Sequence, residues 1–301
     1  MSSKQPVIKT MTAEERTPVD RYWGEFTVRS TPFTSAKESL DYLQWRSSVY
    51  PLFSEYMGIY GDHESEVVLD YGCGPGHDTI GFLEFSKARK VVAVDVSELA
   101  LNLTSQRLAL HGIETDRVEL IQTSDSSQRI PLESESIDYI NCGGVLHHVS
   151  RPGAVLREFA RVLRRGGRGS IMVYNRESIF FHLWIAYQRQ LVNGDFPGLD
   201  TDTAFSKATD GEDCPISIPY RPPDFVEFCR TAGLEVEFLG GYFASMELDL
   251  MQKVGREAIA DGRLGAEHRE FLSRLTRDPR GYFLDGVKTA GHGGVYAIRK
   301  F

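Results

Sequence analysis

Short apolar runs alternate with amphipathic stretches through the middle of the chain. Residues 67–71 (Val-Val-Leu-Asp-Tyr) form one run, which opens into Gly72, Cys73, Gly74, Pro75 and Gly76 before Ile80, Leu83 and Phe85 take up a helical spacing. A second run over 90–96, with Val91, Val92 and Val94, ends near Asp95 and gives way to helical composition over 98–111. Further strands are expected at 118–122, 137–141 and 170–174, with helices between them. Strands that alternate with helices predict a doubly wound α/β sheet with right-handed crossovers. Residues 235–238 and 293–300 add two more, for a seven-stranded sheet.

The segment 152–165 shows the logic of the intervening helices. Val155, Phe159, Val162 and Leu163 recur on one stripe, Ser150 stands where a cap is needed, and Gly166 and Gly167 end the pattern. Arg161, Arg164, Arg165 and Arg168 are then expected near a helix C-terminus, where the dipole favours cations. Upstream, residues 1–20 are polar and read as a disordered N-terminal tail, and 21–66 read as a helical cap with a helix over 36–60. Residues 67–301 form the main domain, interrupted twice. The first interruption is a lid at 175–221: an aromatic helix over 177–192, then an irregular polar stretch over 193–220. The second is a charged helical insertion at 246–277, long enough for two helices.

Composition narrows the classes. The 301 residues hold 34 Lys and Arg against 42 Asp and Glu, a net charge of −8, with 41% hydrophobic content. An acidic chain without a basic stripe lacks the footprint of a nucleic-acid binder. No apolar run of about 18 residues suggests a membrane span, and no apolar leader suggests secretion. The four cysteines contain no C-x-x-C pair, which argues against a disulfide framework or structural zinc and for a reducing, cytoplasmic setting.

The candidate chemistry centres on the glycine loop. Its G-x-G-x-G spacing places His77 where the dinucleotide fingerprint has its third glycine, which disfavours a pyrophosphate ligand. Backbone donors beside Asp70 suit a zwitterionic amino acid instead. Asp95, roughly 20 residues beyond the loop, is placed for the two hydroxyls of a ribose. The implied ligand is a nucleoside carrying an amino acid.

These features together resemble the class I S-adenosylmethionine (SAM)-dependent methyltransferases, in particular the branch of ubiquinone/menaquinone-type methyltransferases. The resemblance spans about 67–174 and rests on an ordered set of motifs: the loop 70–76, Asp95, Asp125, Ile137-Asp138-Tyr139-Ile140, Val145-Leu146-His147-His148-Val149, and 158–163 running into Arg164-Arg165-Gly166-Gly167. It implies a Rossmann-like sheet whose last strand is antiparallel, with SAM as cofactor and no metal. It further implies that Gly72, Gly74 and Gly76 admit the methionine part, Asp70 helps hold its ammonium group, and Asp95 binds the ribose. Val96 would contact adenine, Asp125 with Ser124 would accept from the adenine amino group, and Asn141 and Gly143 would lie beneath the sulfonium. Asn141-Cys142-Gly143-Gly144 replaces the Asn-Pro-Pro-Tyr of the methyltransferases that act on DNA, glutamine and adenine amino groups.

The expected reaction is methylation of a small molecule, of the kind met in natural product biosynthesis. Tyr174, Asn141 and His147 are the catalytic candidates. A His at 147 or 148 is suited to general base work, though methyl transfer rests largely on positioning. Tyr22 and Trp23, as aromatics able to meet a sulfonium, and Asn175, Arg176 and Arg221 are candidates for the substrate side or lid. The acidic loop 210–214 lacks a companion His or calcium-loop spacing and is read as solvated. Two alternatives share the fold: cyclisation of SAM with release of methylthioadenosine, as in azetidine-2-carboxylate synthases, and a non-catalytic SAM-binding partner.

Overall fold

A computed structural model describes residues 6–10, 16–127 and 129–301. Five parallel strands make the centre of the sheet: β2 (Val67–Tyr71), β3 (Lys90–Asp95), β4 (Val118–Gln122), β5 (Ile137–Gly143) and β6 (Leu163–Tyr174). With the edge strands β1 (Ile8–Thr10), β7 (Glu235–Tyr242) and β11 (Gly293–Arg299), the order is β1-β4-β3-β2-β5-β6-β11-β7. β11 runs antiparallel to both β6 and β7. Three short strands, β8 (Thr276–Arg277), β9 (Phe283–Asp285) and β10 (Lys288–Thr289), form a separate antiparallel sheet.

Strand alternation sends neighbouring residues into opposite cores. Val68, Val91, Leu120 and Met172 face one cluster; Leu69, Val92, Ile121, Ile171 and Val173 face the other. Helices α4 (His77–Glu84) and α5 (Glu98–Leu110) cover the first face, and α6 (Pro152–Val162) and α8 (Pro222–Thr231) cover the second. Full burial on both sides explains why the central strands read as continuous apolar runs.

Several expectations need correction. The sheet has eight strands, because Ile8–Thr10 add to the edge of β4 and Lys9 pairs with Glu119 at 2.5 Å. Three residues held by main-chain bonds leave almost no hydrophobic pattern. The expected tail also contains the start of α1 (Pro18–Glu25), closed by a capping box between Thr17 and Asp20. Residues 1–5 and 11–15 lie outside the described residues.

The cap helix expected over 36–60 is two helices, α2 (Ala36–Val49) and α3 (Phe53–Met57), separated at Pro51 and at Leu52, whose φ is +73°. Helix α6 stops at Val162, and β6 begins at once. Only Arg161 occupies the last helical turn, where it bonds Glu158 and the carbonyls of Ile130 and Leu132. Arg164 pairs with Asp138 at 2.7 Å and Arg168 with Glu66, so β-strand ion pairs rather than the dipole account for them. Ser150 does not stand at the helix cap, which is Arg151; its backbone N–H donates to Asp125.

In the lid, Phe180–Val192 winds as a π-helix, and the stretch expected to be irregular contains α7 (Thr201–Thr209), capped by Asp200. Phe181, Ile185, Ala204 and Phe205 join the two in a small core. The insertion after β7 holds the expected two helices, α9 (Ser245–Ala260) and α10 (Ala266–Arg274). Among the described residues no helix is long and apolar enough to cross a membrane.

Candidate functional site

The carboxyl ends of β2 to β6 open into one cavity of about 520 Å³. Its first half is the glycine loop. Gly72 and Cys73 donate backbone bonds to the Val94 carbonyl at 2.7 and 3.0 Å, which folds the loop back over β3. Gly72 has φ +73°, and an added Cβ there would stand 2.2 Å from a Val145 methyl. Only glycine fits. Gly74 donates to one Asp95 carboxylate oxygen at 2.8 Å and Ser97 to the other at 2.8 Å, so the acid is fixed at the rim while burial raises its pKa. Gly72, Gly74, Asp95, Val96, Asp125 and Gly143 all line the cavity.

Three expected cofactor residues stand behind this wall. Gly76 caps α4 against Thr104 and does not reach the cavity. Asp70 and Asn141 are buried beneath the floor and bond each other at 2.9 Å; Asp70 also accepts from Thr79 at 2.5 Å. Burial, reinforced by nearby Asp78, pushes the Asp70 carboxyl up to about 7 against the pull of its hydrogen bonds. Asp70 therefore braces the floor through Asn141 and Thr79 rather than facing a ligand.

At the far end, Asp125 accepts from the Ser150 N–H at 3.0 Å through one oxygen. Its other oxygen, Oδ2, is buried with no hydrogen-bond partner among the described residues. Ser124 is turned away and donates to Asp20 at 2.7 Å. An unsatisfied buried acceptor is costly, so the Asp125 oxygen suits a donor such as an adenine amino group. The glycine-rich loop, the fixed Asp95 and this orphaned oxygen together fit SAM.

The second half of the cavity is aromatic. Tyr42, Trp45, Tyr50, Phe53, Tyr174, Tyr242 and Trp23 line it with Arg46, Asp78, His148 and His292. Arg46 pairs with Asp78 and lies 4.2 Å from the Phe53 ring centre. Asp78 offsets the effect of burial and raises the Arg46 pKa, so the guanidinium stays charged. Arg46, Asp78 and the α2 aromatics were not singled out from the sequence. Their signal was the spacing of Tyr42, Trp45 and Arg46 on one helix face, i, i+3, i+4.

The two histidines part company. His147 is buried outside the cavity wall, stacked on Tyr174 at 3.8 Å, and its Nδ1 accepts the Tyr174 N–H at 3.2 Å. It supports Tyr174 and has no access to a substrate. His148 lines the cavity, and its Nδ1 lies 2.7 Å from the Ile216 carbonyl, which fixes the proton on that nitrogen and leaves Nε2 as an acceptor. Burial lowers its pKa, with Asp210 opposing, so the ring is neutral at pH 7.

Tyr174 lines the cavity and donates to Asp210 Oδ1 at 3.0 Å; Tyr22 donates to the Asp210 carbonyl. Trp23 packs 4.8 Å from His148. Asp210 is thus held from two sides. The lid segment also brings Asp210 and Cys214 beside His148, so the acidic loop has the companion His that the sequence spacing lacked. Asn175, Arg176 and Arg221 do not reach the cavity. Asn175 is buried and bonds the Glu177 and Gly291 carbonyls. Arg176 pairs with Asp202 and Glu267, and Arg221 with Glu177 and Glu267, because the chain turns outward after β6.

Residues 62–205 match a family model described as a methyltransferase domain. This segment, just under half of the chain, is thus similar to a methyltransferase domain. An uncharacterized methyltransferase of Schizosaccharomyces pombe is 29% identical over 153 residues, 50% of this chain and 48% of that protein. A ubiquinone biosynthesis O-methyltransferase of Neisseria meningitidis is 27% identical over 143 residues, 46% of this chain and 57% of that protein. The chain spans about half the length of these curated relatives.

Solved structures share the fold along nearly all of the domain and its insertions. A chain from the complex between the Haloferax volcanii Trm112 methyltransferase activator and its putative methyltransferase superimposes with TM-score 0.55 at 16% identity, covering 96% of this chain and 100% of that one. Geranyl diphosphate C-methyltransferase of Streptomyces coelicolor gives 0.52 at 13% identity, covering 94% and 97%. At such identities the likeness concerns the fold alone.

Proposed function

We propose that this protein transfers the methyl group of SAM to a small molecule held in the aromatic half of the cavity. The observation that carries the reading is the continuity of the cavity: one space joins the loop, Asp95 and Asp125 to the chamber walled by Tyr42, Trp45, Tyr174 and His148. Its volume lies within the roughly 300–1,000 Å³ of small-molecule sites.

In this reading Gly72 and Gly74 let the backbone approach the methionine part, Asp95 takes the ribose hydroxyls, and Val96 packs on the adenine. Asp125 Oδ2 accepts from the adenine amino group, and Gly143 lies under the sulfonium. The bound SAM supplies an electrophilic methyl group. Tyr174, Trp23 and the aromatic face of α2 exclude water and hold the acceptor in line, which is the larger part of the catalysis. On the acceptor side His148 presents an imidazole lone pair whose tautomer is fixed by a backbone carbonyl. Free Cys73, Cys142, Cys214 and Cys229 suit a reducing compartment such as the cytoplasm, and the small chamber suits metabolism of the natural-product type.

The test is incubation of the purified protein with methyl-labelled SAM, alone and with a panel of small hydroxylated aromatic acceptors, followed by mass spectrometry. S-adenosylhomocysteine formed together with a labelled acceptor supports the proposal. Methylthioadenosine and a cyclic amino acid formed from SAM alone would assign the intramolecular reaction of the azetidine-2-carboxylate synthases instead.

A further inference from the structure

We propose that His148, Asp210 and Cys214 form a binding site for one divalent ion of the zinc class at the acceptor end of the cavity. One ligand atom from each residue lies within 4.8 Å of the other two. The His148 side chain is 6% exposed and that of Asp210 12%. Nδ1 of His148 is committed to the Ile216 carbonyl, so Nε2 carries the lone pair; its nearest charged neighbour is Asp210 Oδ1 at 3.7 Å. That separation is too long for a hydrogen bond. It is close to the spacing of two ligands on one ion, because bonds of about 2.0–2.3 Å to a tetrahedral zinc set its donors roughly 3.3–3.8 Å apart. Cys214 Sγ stands on the Nδ1 side of the ring, where it donates to the Ile216 carbonyl at 3.3 Å, and it joins the set through the 4.8 Å span of the cluster, so binding an ion exchanges that weak thiol bond for a metal bond.

The surroundings match a ligand shell. Asp210 accepts from Tyr174 on Oδ1 at 3.0 Å and from Ser217 on Oδ2 at 2.9 Å, outer partners of the kind that orient a ligating carboxylate. The backbone bond to His148 Nδ1 does the same for the imidazole. A general base needs only the His148 lone pair; the adjoining carboxylate and thiol have no part in that role. A cation uses all three. Nitrogen, oxygen and sulfur donors together select zinc, cobalt or ferrous iron over magnesium or calcium.

Three protein ligands leave one position open, and His148 and Asp210 are both wall residues, so that position faces the cavity. An acceptor oxygen bound there becomes easier to deprotonate. The ion also ties the lid, through Asp210 and Cys214, to His148 at the end of the sheet.

Metal binding is measured without SAM, so it stands or falls apart from the methyl-transfer reading. The 301-residue chain, freed of metal by a chelator, is titrated with cobalt(II). The expected result is one ion per chain, a thiolate-to-cobalt charge-transfer band, and displacement by zinc but not by magnesium. Cys214→Ser should lose the band, and Asp210→Asn and His148→Gln should bind at least about 10-fold more weakly. A second measurement needs no variant: zinc should slow alkylation of Cys214, the one thiol that is not fully buried. A charge-transfer band that survives in Cys214→Ser, or no band together with unchanged alkylation, overturns the proposal. SAM binding measured by calorimetry on the same samples separates this failure from that of the methyltransferase reading.

Discussion

Asp20 and Asp125 are joined directly: the Asp20 carboxylate accepts the Asp125 backbone N–H at 2.8 Å and, through its other oxygen, the Ser124 hydroxyl at 2.7 Å. The same carboxylate closes the capping box of α1 by accepting from Thr17 at 3.0 Å. One side chain thus fastens α1 over the Asp125 end of the cavity. Asp20→Ala should cost about 2–4 kcal/mol, from the lost cap and the bonds to a buried charge. SAM affinity should fall with it, and the bond after Arg16 should become sensitive to limited proteolysis. Unchanged thermal stability and an unchanged cleavage pattern would remove this link from the account.

Asp70 predicts a pH dependence of opposite sign to that of an ordinary paired carboxylate. Its folded pKa, pushed up to about 7 by burial, lies above the ordinary 3.8 of an aspartate, so between these values the folded state binds the extra proton. Its contribution to stability is therefore present at low pH and lost as pH rises through about 7. Asp78, Arg46, Thr79 and Asn141 are the groups that tune it. Denaturant unfolding at pH 5 and pH 8 should show Asp70→Asn gaining on the parent at the higher pH. Equal pH slopes in the two proteins would contradict the assignment.

Gly72 and Gly74 should fail for different reasons. Both have positive φ, at a cost of about 1–2 kcal/mol for any other residue. Gly72→Ala also drives a methyl into Val145 and should destabilise the fold further. An added Cβ at Gly74 meets no protein atom within 4 Å and points toward open space in the cavity lining. Gly74→Ala should therefore keep most of the stability and lose SAM affinity. If the two variants shift melting temperature and affinity in parallel, the loop is not shaped around a ligand.

Arg176 was expected to meet a substrate carboxylate or phosphate, and its position removes it from that role. Arg176→Ala breaks ion pairs to partly exposed Asp202 and Glu267, worth roughly 0–1 kcal/mol each at a surface. Steady-state kinetics should show KM for the acceptor unchanged within about 2-fold, a window set by that small energy. A selective rise in KM would restore Arg176 to the site.

The sheet core was legible because fully buried strands write their burial directly into runs such as Val91, Val92 and Val94, and the loop because positive φ demands glycine. That Gly72, Gly74, Asp95 and Asp125 share one cavity followed from the order of those signals. The rest depended on long-range placement. Asp20, at the edge of a polar segment, acquires its role only when α1 packs on the β4 loop. His147 and His148 are indistinguishable in sequence, yet one turns behind Tyr174 and the other into the cavity. The acidic loop at 210–214 shows no companion histidine in sequence because His148, which it meets, follows β5 about 60 residues earlier. Local pattern reports burial and backbone geometry; it does not report which distant side chains will share a cavity.

Asp95 offers the most direct measurement of the central claim, since both of its oxygens are fixed by loop N–H groups and its side chain faces the cavity. Calorimetric titration with S-adenosylhomocysteine should give saturable one-site binding to the parent protein. Asp95→Ala should bind roughly 10- to 100-fold more weakly, the value of one to three kcal/mol for hydrogen bonds to a charged group. No binding to the parent protein, or equal affinity in the two, would contradict the account.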